Sequence, residues 1–140
     1  MIPFDDLHTQ NHEIAELTKV LARLMEDREM CDTSIVGELF VRYTVRVADH
    51  MRQNAEFIYP VLEQSPDRRA SLTAARFSDG EREIRRLFDA YTDAWFKKGL
   101  TIKDHGAFLA QTHEIFDLVF ARIQAESEQL YPLARELNAA

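Results

Sequence analysis

Two related stretches of eleven residues decide how this sequence folds, and both end in Tyr-Pro. The first is His50-Met51-Arg52-Gln53-Asn54-Ala55-Glu56-Phe57-Ile58-Tyr59-Pro60. The second, 72 residues further along, is Arg122-Ile123-Gln124-Ala125-Glu126-Ser127-Glu128-Gln129-Leu130-Tyr131-Pro132. In each stretch the first and fifth residues lie one turn apart on the same helix face. The copies therefore predict two equivalent helices of one bundle.

Apolar residues recur at helical spacing along the rest of the chain, with no convincing alternation typical of strands. We predict four helices with short connections, which indicates an all-α, antiparallel up-down-up-down four-helix bundle. The expected buried seams of the helices are Ile14, Leu17, Leu21 and Leu24; Val36, Phe40, Tyr43, Val47, His50, Asn54, Phe57 and Val61; Ile84, Phe88, Tyr91 and Trp95; and Phe108, Thr112, Ile115, Val119, Arg122, Glu126 and Leu133.

Several residues predict where these helices begin and end. The first should span residues 5–28, and Asp32 is a candidate N-cap for the second. Ser65 followed by Pro66 should open the third helix. The other expected markers are a possible break at Ser78-Asp79-Gly80, an end at Gly99, and a capping box of Thr101 and Asp104 that starts the fourth helix.

Composition bounds the class of protein. The 140 residues predict a single domain, 1–140, that can bury a core without cross-links. A net charge of −7 makes nucleic acid an unsuitable partner, because phosphate binding needs a basic surface. The N-terminus has no signal peptide and the chain has no membrane span, so we expect a cytoplasmic protein with no membrane partner. The single Cys31 fits a small residue at a helix junction.

The Tyr-Pro repeat on two long amphipathic helices resembles the hemerythrin-like (HHE cation-binding) family over nearly the whole chain. The resemblance implies a four-helix bundle with a non-haem di-iron site, used for oxygen carriage, nitric oxide or redox sensing, or metal storage. The family pattern has His-x-x-x-Glu on the second helix, where this chain has His50 and Asn54. On the fourth helix Arg122 stands at the histidine position, and Glu126 remains.

The resemblance also implies positions on the other two helices. Glu81 occupies the position of a family histidine on the third helix. On the first helix, Asn11 and His12 both remain candidates for the corresponding position. The predicted polar layer of the core is thus His50, Asn54, Glu81, Arg122, Glu126 and either Asn11 or His12, with Arg85 at its edge.

Charge argues against a tight di-metal site in this layer. A guanidinium about 5 Å from a divalent ion is repelled by roughly 7 kcal/mol at an effective dielectric near 20. Asn54 also removes an anionic oxygen ligand of the kind that iron uses in such bundles. Because unpaired buried charges are costly, we predict instead that Arg122 forms an ion pair with Glu126, Glu81 or both.

These observations favour a regulatory or interaction module with a vestigial metal site and no tightly bound cofactor. The alternative is a sensor or storage protein that holds non-haem iron or zinc through His12, His50, Glu81 and Glu126; a small-molecule binder is a third possibility. No set of residues indicates an enzyme. The module should act through a protein partner or by self-association. Trp95, Phe96 and Phe116 are candidates for an exposed apolar patch, but a place in the core is the favoured interpretation of each.

Overall fold

The structure is a computed structural model that describes residues 1–96 and 102–139. Its elements are helices α1 (Phe4–Glu26), α2 (Ser34–Phe57), α3 (Tyr59–Glu63), α4 (Arg68–Trp95) and α5 (His105–Ala125), a π-helical turn (Glu126–Leu130) and helix α6 (Tyr131–Ala139). Helix α3 follows directly on α2, and α6 follows the π turn, so the helices form four long rods. No strand occurs among the described residues. The predicted all-α four-helix bundle is confirmed.

Each rod packs against its two neighbours in the bundle. Helix α1 contacts α2 and α5, and α4 contacts the same two helices from the other side. Along the contacts of α1 with α2 and of α4 with the fourth rod, residue numbers rise on one helix and fall on the other, which is the antiparallel order expected from short connections. The hydrogen-bonded pairs that show this are Gln10 with Gln53, Thr18 with Tyr43, Arg76 with Gln129, and Tyr91 with Thr112.

Two apolar clusters fill the core, one toward each end of the bundle. The larger includes the aromatic rings of Phe40, Tyr43, Phe88, Tyr91 and Phe108. The smaller includes Leu7, Ile58, Leu62, Phe77, Leu130 and Tyr131. On every rod the predicted polar position falls between members of the two clusters, so the polar residues form a layer across the middle of the core.

The predicted start of the second helix is wrong by one residue, and that of the third helix by two. Thr33, not Asp32, caps α2, because the Thr33 side chain accepts a hydrogen bond from the Val36 amide. Asp32 pairs with Arg28 instead, at 3.0 Å. Asp67 caps α4 by accepting from the Arg69 amide, and Ser65 accepts from the Asp67 amide in the preceding turn.

The end of α4 and the start of α5 also differ from the prediction. Gly99 and Thr101 lie outside the described residues, and the helix expected to end at Gly99 ends at Trp95. Asp104 itself is the N-cap of α5, since its side chain accepts from the Ala107 amide at 3.0 Å. Helix α1 ends at Glu26 rather than at residue 28.

Gly80 does not break the third rod, which runs without interruption from Arg68 to Trp95. A Cβ atom built on Gly80 would lie 3.1 Å from the Nη1 atom of Arg122. That distance is shorter than an ordinary contact with carbon. The close approach of Arg122 from α5 therefore explains why position 80 has no side chain, and no turn is needed to explain the glycine.

The buried seams follow the prediction with local shifts. On α1, Thr18 and Met25 are buried, while Leu17 and Leu24 are only half-buried. Thr18 is accommodated because its hydroxyl donates to the Ile14 carbonyl and bonds to the Tyr43 hydroxyl. Beyond Asn54, the expected core residues Phe57 and Val61 are only half-buried. The buried residues of this part of the second rod are Ile58, Tyr59 and Leu62. Cys31 is fully buried between α1 and α2, as expected of a small residue at a helix junction.

Trp95, Phe96 and Phe116 do not form an exposed apolar patch, and the structure supports the favoured interpretation of each as part of the core. Phe116 is buried, and Trp95 and Phe96 are half-buried against the larger cluster, where both rings pack on Phe108. Among the described helices, none is both long and apolar enough to cross a membrane.

Candidate functional site

The carboxylate of Glu126 is the centre of the polar layer. It is fully buried, and each of its two oxygens has two hydrogen-bond partners. Oε1 lies 2.7 Å from His50 Nε2 and accepts from the Tyr131 hydroxyl at 3.0 Å. Oε2 accepts from Arg122 Nε at 2.7 Å and from Asn54 Nδ2 at 3.0 Å. The four partners occupy the hydrogen-bonding positions that a carboxylate offers.

Arg122 joins this carboxylate to two other rods. Its Nη1 donates to the Phe77 carbonyl of α4, and its Nη2 donates to the Tyr59 hydroxyl of α3, both at 2.7 Å. The guanidinium carbon lies 4.8 Å from the centre of the Phe77 ring, within the range of a cation–π contact. Only 9% of the side chain is exposed. Burial opposes the charged form, but Glu126 and Tyr59 outweigh it and hold the pKa of Arg122 above its ordinary value.

His50 extends the network to the first rod. Its Nδ1 lies 2.7 Å from the Oε1 of Gln10, and the Nε2 of Gln10 donates to Gln53 at 2.9 Å. Gln10 and Gln53 are half-buried, whereas His50 is 4% exposed. A continuous hydrogen-bond chain therefore runs from the buried carboxylate of Glu126 toward the surface between α1 and α2.

Tyr131 reaches the centre because the helix changes its winding there. Tyr131 lies five positions after Glu126 in the sequence. In an α-helix this spacing would place the two side chains about 140° apart around the helix axis. The π turn, closed by the bond from the Tyr131 amide to the Glu126 carbonyl, brings them to the same side. The Tyr131 hydroxyl then lies 3.0 Å from Glu126 Oε1 and 2.9 Å from Asn54 Oδ1, and its single proton can be donated to either oxygen.

The prolines of the repeat explain both irregular turns. A proline inside a helix lacks the amide hydrogen and clashes with the carbonyl four residues earlier. Before Pro132 the helix widens into the π turn, and before Pro60 the second rod is interrupted at Ile58. In both copies the preceding tyrosine is buried, and its hydroxyl faces the polar layer. The Tyr-Pro signal could have predicted Tyr59 and Tyr131 as members of the site.

The structure resolves the alternative on the first helix and separates Glu81 from the centre. Asn11 is buried and His12 is exposed. The amide of Asn11 has no hydrogen-bond partner among the described residues. Glu81 is 7% exposed and pairs with Arg85 at 2.8 Å, not with Arg122. Of the predicted residues, His50, Asn54, Arg122 and Glu126 are thus brought together, and Asn11 and Glu81 belong to the same layer without bonding to them.

The electrostatics of the centre keep Glu126 ionised. Burial by itself raises the pKa of this carboxyl, but the hydrogen bonds and charges of His50 and Arg122 lower it to about 2. In contrast, burial raises the pKa of Tyr59 to about 12 despite the neighbouring Arg122. Burial and the Glu126 charge also raise the pKa of Tyr131. Both tyrosines therefore remain protonated at neutral pH and act as hydrogen-bonding groups.

The lowered pKa of Glu126 predicts a loss of stability in acid. Its folded pKa lies below the ordinary carboxyl value of 4.5, so its contribution is present above that value and is lost as pH falls toward about 2. A shift of this size corresponds to roughly 3 kcal/mol of unfolding free energy. Urea denaturation measured from pH 7 to pH 2.5 should show this loss, and the Glu126→Gln variant should show a smaller one. Equal pH dependence in the two proteins would contradict the assignment.

The amino-acid sequence matches a known protein family over nearly its whole length. The model of the hemerythrin HHE cation-binding domain matches residues 2–134, which is nearly the entire sequence and includes every residue of the polar layer. The chain belongs to the hemerythrin HHE cation-binding family. Comparisons with curated proteins and with solved structures give no significant match. The predicted family membership is confirmed.

The donor set of this hemerythrin-family domain does not fit the di-iron centre that the family implies. Among the described residues, no group of three or more His, Cys, Asp or Glu side chains is placed to hold a metal ion. Within the described part of the chain, His50 and Glu126 are the two such residues in contact at the centre, and Asn54 contributes a neutral amide. The guanidinium of Arg122 holds Glu126 Oε2 at 2.7 Å, and its positive charge would repel a cation there.

Proposed function

We propose that this hemerythrin-family domain is a cytoplasmic regulatory or interaction module whose core is held by an arginine in place of a metal. The observation that carries the proposal is the 2.7 Å contact between Arg122 Nε and Glu126 Oε2 at the family's metal position. A charged guanidinium is a permanent cation at any physiological pH. It can balance the buried carboxylate without any bound ion.

The contacts of the polar layer tie all four rods together, as a metal centre in a helical bundle does. Arg122 on the fourth rod bonds to Phe77 on the third and to Tyr59 at the end of the second. His50 on the second rod bonds to Glu126 on the fourth and to Gln10 on the first. The side chains therefore supply the cross-links between helices, which supports a domain that works as a stable scaffold.

The same contacts favour a scaffold over a catalyst, so we propose no enzymatic role. Catalytic groups need a pKa near the working pH and access to substrate. Glu126 is fully buried, remains ionised at neutral pH and has all its hydrogen-bonding positions occupied. Tyr59 and Tyr131 hold their protons well above neutral pH. A module of this kind would act through the proteins that contact its outer helix faces.

Metal content after purification tests this proposal. Protein from cells grown with added iron and zinc should contain well under one equivalent of any transition metal, because the centre offers too few ligands and one repelling cation. Elemental analysis measures the metal bound per protein molecule. Denaturation with and without a chelator shows whether that metal stabilises the fold. About two equivalents of iron, with a loss of stability on their removal, would overturn the proposal and favour the metal-binding sensor or storage protein.

A further inference from the structure

The outer face of α2 carries a second seam, opposite the one that packs into the core, which is apolar at its middle (Val41, Val45 and Ala48) and polar at its ends. Val41 and Val45 are 53% and 54% exposed, and these two are among the few large apolar side chains that the described residues leave open to solvent. Exposed residues along this face follow the alternating steps of four and three that are typical of a helix-pairing seam. They are Ser34, Glu38, Val41, Val45, Ala48 and Arg52.

Hollows lie beside this seam, where a second helix could pack. One hollow of about 540 Å³ is lined by Gly37, Val41 and Phe96, and another of about 400 Å³ by Val45, Met51 and Phe88, among other residues. Side chains that project from one helix fill the grooves of another when helices pack. The exposed valines and the hollows beside them therefore form a surface with both parts needed for helix pairing.

The charges on this face are complementary to themselves when the helix is reversed. Glu38 lies seven residues before Val45, and Arg52 lies seven residues after it. Arg42 lies three residues before Val45, and Asp49 lies four residues after it. A second α2 running antiparallel about Val45 would thus set each charge against one of opposite sign. A parallel pairing would set each against its own kind, which is unfavourable.

We propose that this face binds a second copy of the chain, with the two α2 helices antiparallel and the two-fold axis near Val45. A two-fold contact requires a surface that is complementary to itself, and both the valine seam and the charge order meet that requirement. The inference rests on the proposed function in one respect, since it identifies the partner of the interaction module. It does not depend on whether the core binds metal.

Sedimentation equilibrium of the purified full chain tests the proposal. The parent protein should be a dimer at micromolar concentration. Val45→Glu should be a monomer, because two carboxylates would meet near the two-fold axis. Val20→Glu is the matched control: Val20 is 50% exposed on α1, away from this face, and its variant should remain dimeric. A monomeric parent protein, or a dimer that Val45→Glu leaves intact, would overturn the proposal.

A charge exchange tests the antiparallel register itself. Arg42→Glu should raise the dimer Kd by about tenfold, because it replaces two attractive contacts by repulsive ones. Adding Asp49→Arg should restore much of the lost affinity, since the exchanged charges again meet as opposites, while the 3.7 Å pair of Asp49 with Arg52 within α2 is lost. Failure of the second change to restore dimerisation would overturn the register. A monomeric protein with a metal-free core would contradict only this inference, whereas a dimer that contains iron would contradict only the proposed function.

Discussion

Replacing Arg122 with alanine should lower the free energy of unfolding by about 3–5 kcal/mol, the range observed when one partner of a buried ion pair is removed. The change takes a cation from a carboxylate that is 1% exposed, and it also removes the bonds to Phe77 and Tyr59. His50, Asn54 and Tyr131 still bond to Glu126, so the fold should survive in a weakened form. Urea denaturation at neutral pH measures the difference.

Two further variants give this result its meaning. Arg46→Ala is the matched control, because Arg46 pairs with Glu13 at 2.9 Å while both side chains are more than half exposed; its loss should cost about 0–1 kcal/mol. Adding Glu126→Gln to Arg122→Ala should recover part of the stability, since no buried charge is then left without a counter-charge. If Arg122→Ala had no more effect than Arg46→Ala, the buried ion pair would not be what holds the polar layer together.

Restoring the two missing family residues should create metal affinity where the parent protein has little. Asn54→Glu supplies a carboxylate, and Arg122→His replaces the repelling cation by an imidazole. The structure supports this change because His50, Asn54 and Arg122 all lie within 3.0 Å of the same carboxylate, Glu126. Removing the repulsion alone corresponds to as much as about five decades in affinity.

The measurement is the melting temperature with and without added iron(II) or zinc. Binding to the folded state alone raises the melting temperature, so the double variant should respond and the parent should not. Each single variant should respond less than the double variant, because ligands in one site are coupled. Ala55→Glu combined with Gln124→His introduces the same residue types at exposed neighbouring positions and should give no response. An equal response in this control would mean that the gain does not come from the polar centre.

Much of the fold could be predicted because it follows from local periodicity. The buried seams of α2, α4 and α5 repeat along single helices, and no distant contact is needed to recognise them. Helix ends were less predictable, because two neighbouring residues can both be able to cap the same helix. Thr33 caps α2 where Asp32 also could, and the choice depends on the pairing of Asp32 with Arg28.

The site was predictable as far as the repeat extends. The two copies predicted that His50, Asn54, Arg122 and Glu126 meet, and the pairing of Arg122 with Glu126 needs only one helical turn. The repeat could not show that Glu81 pairs with Arg85 rather than with Arg122, because the sequence places both arginines at the polar layer and Glu81 is not part of the repeat. Nor could it show that Asn11, and not His12, faces the core.

The sequence by itself determined the helical rods, the position of the polar layer along each of them and the family of the chain, because these depend on spacing within single helices. Apart from the pairing of Arg122 with Glu126, only the tertiary structure decided the partners of the polar groups. Gln10 bonds to His50, the Phe77 carbonyl to Arg122, and Tyr131 to Glu126, and each bond depends on how the rods pack or on the winding of a turn. The glycine at position 80 shows the same division. From the sequence, a glycine at this point indicated a possible break in the helix. The structure shows a continuous helix in which the Arg122 guanidinium packs against Gly80 and leaves little room for a side chain.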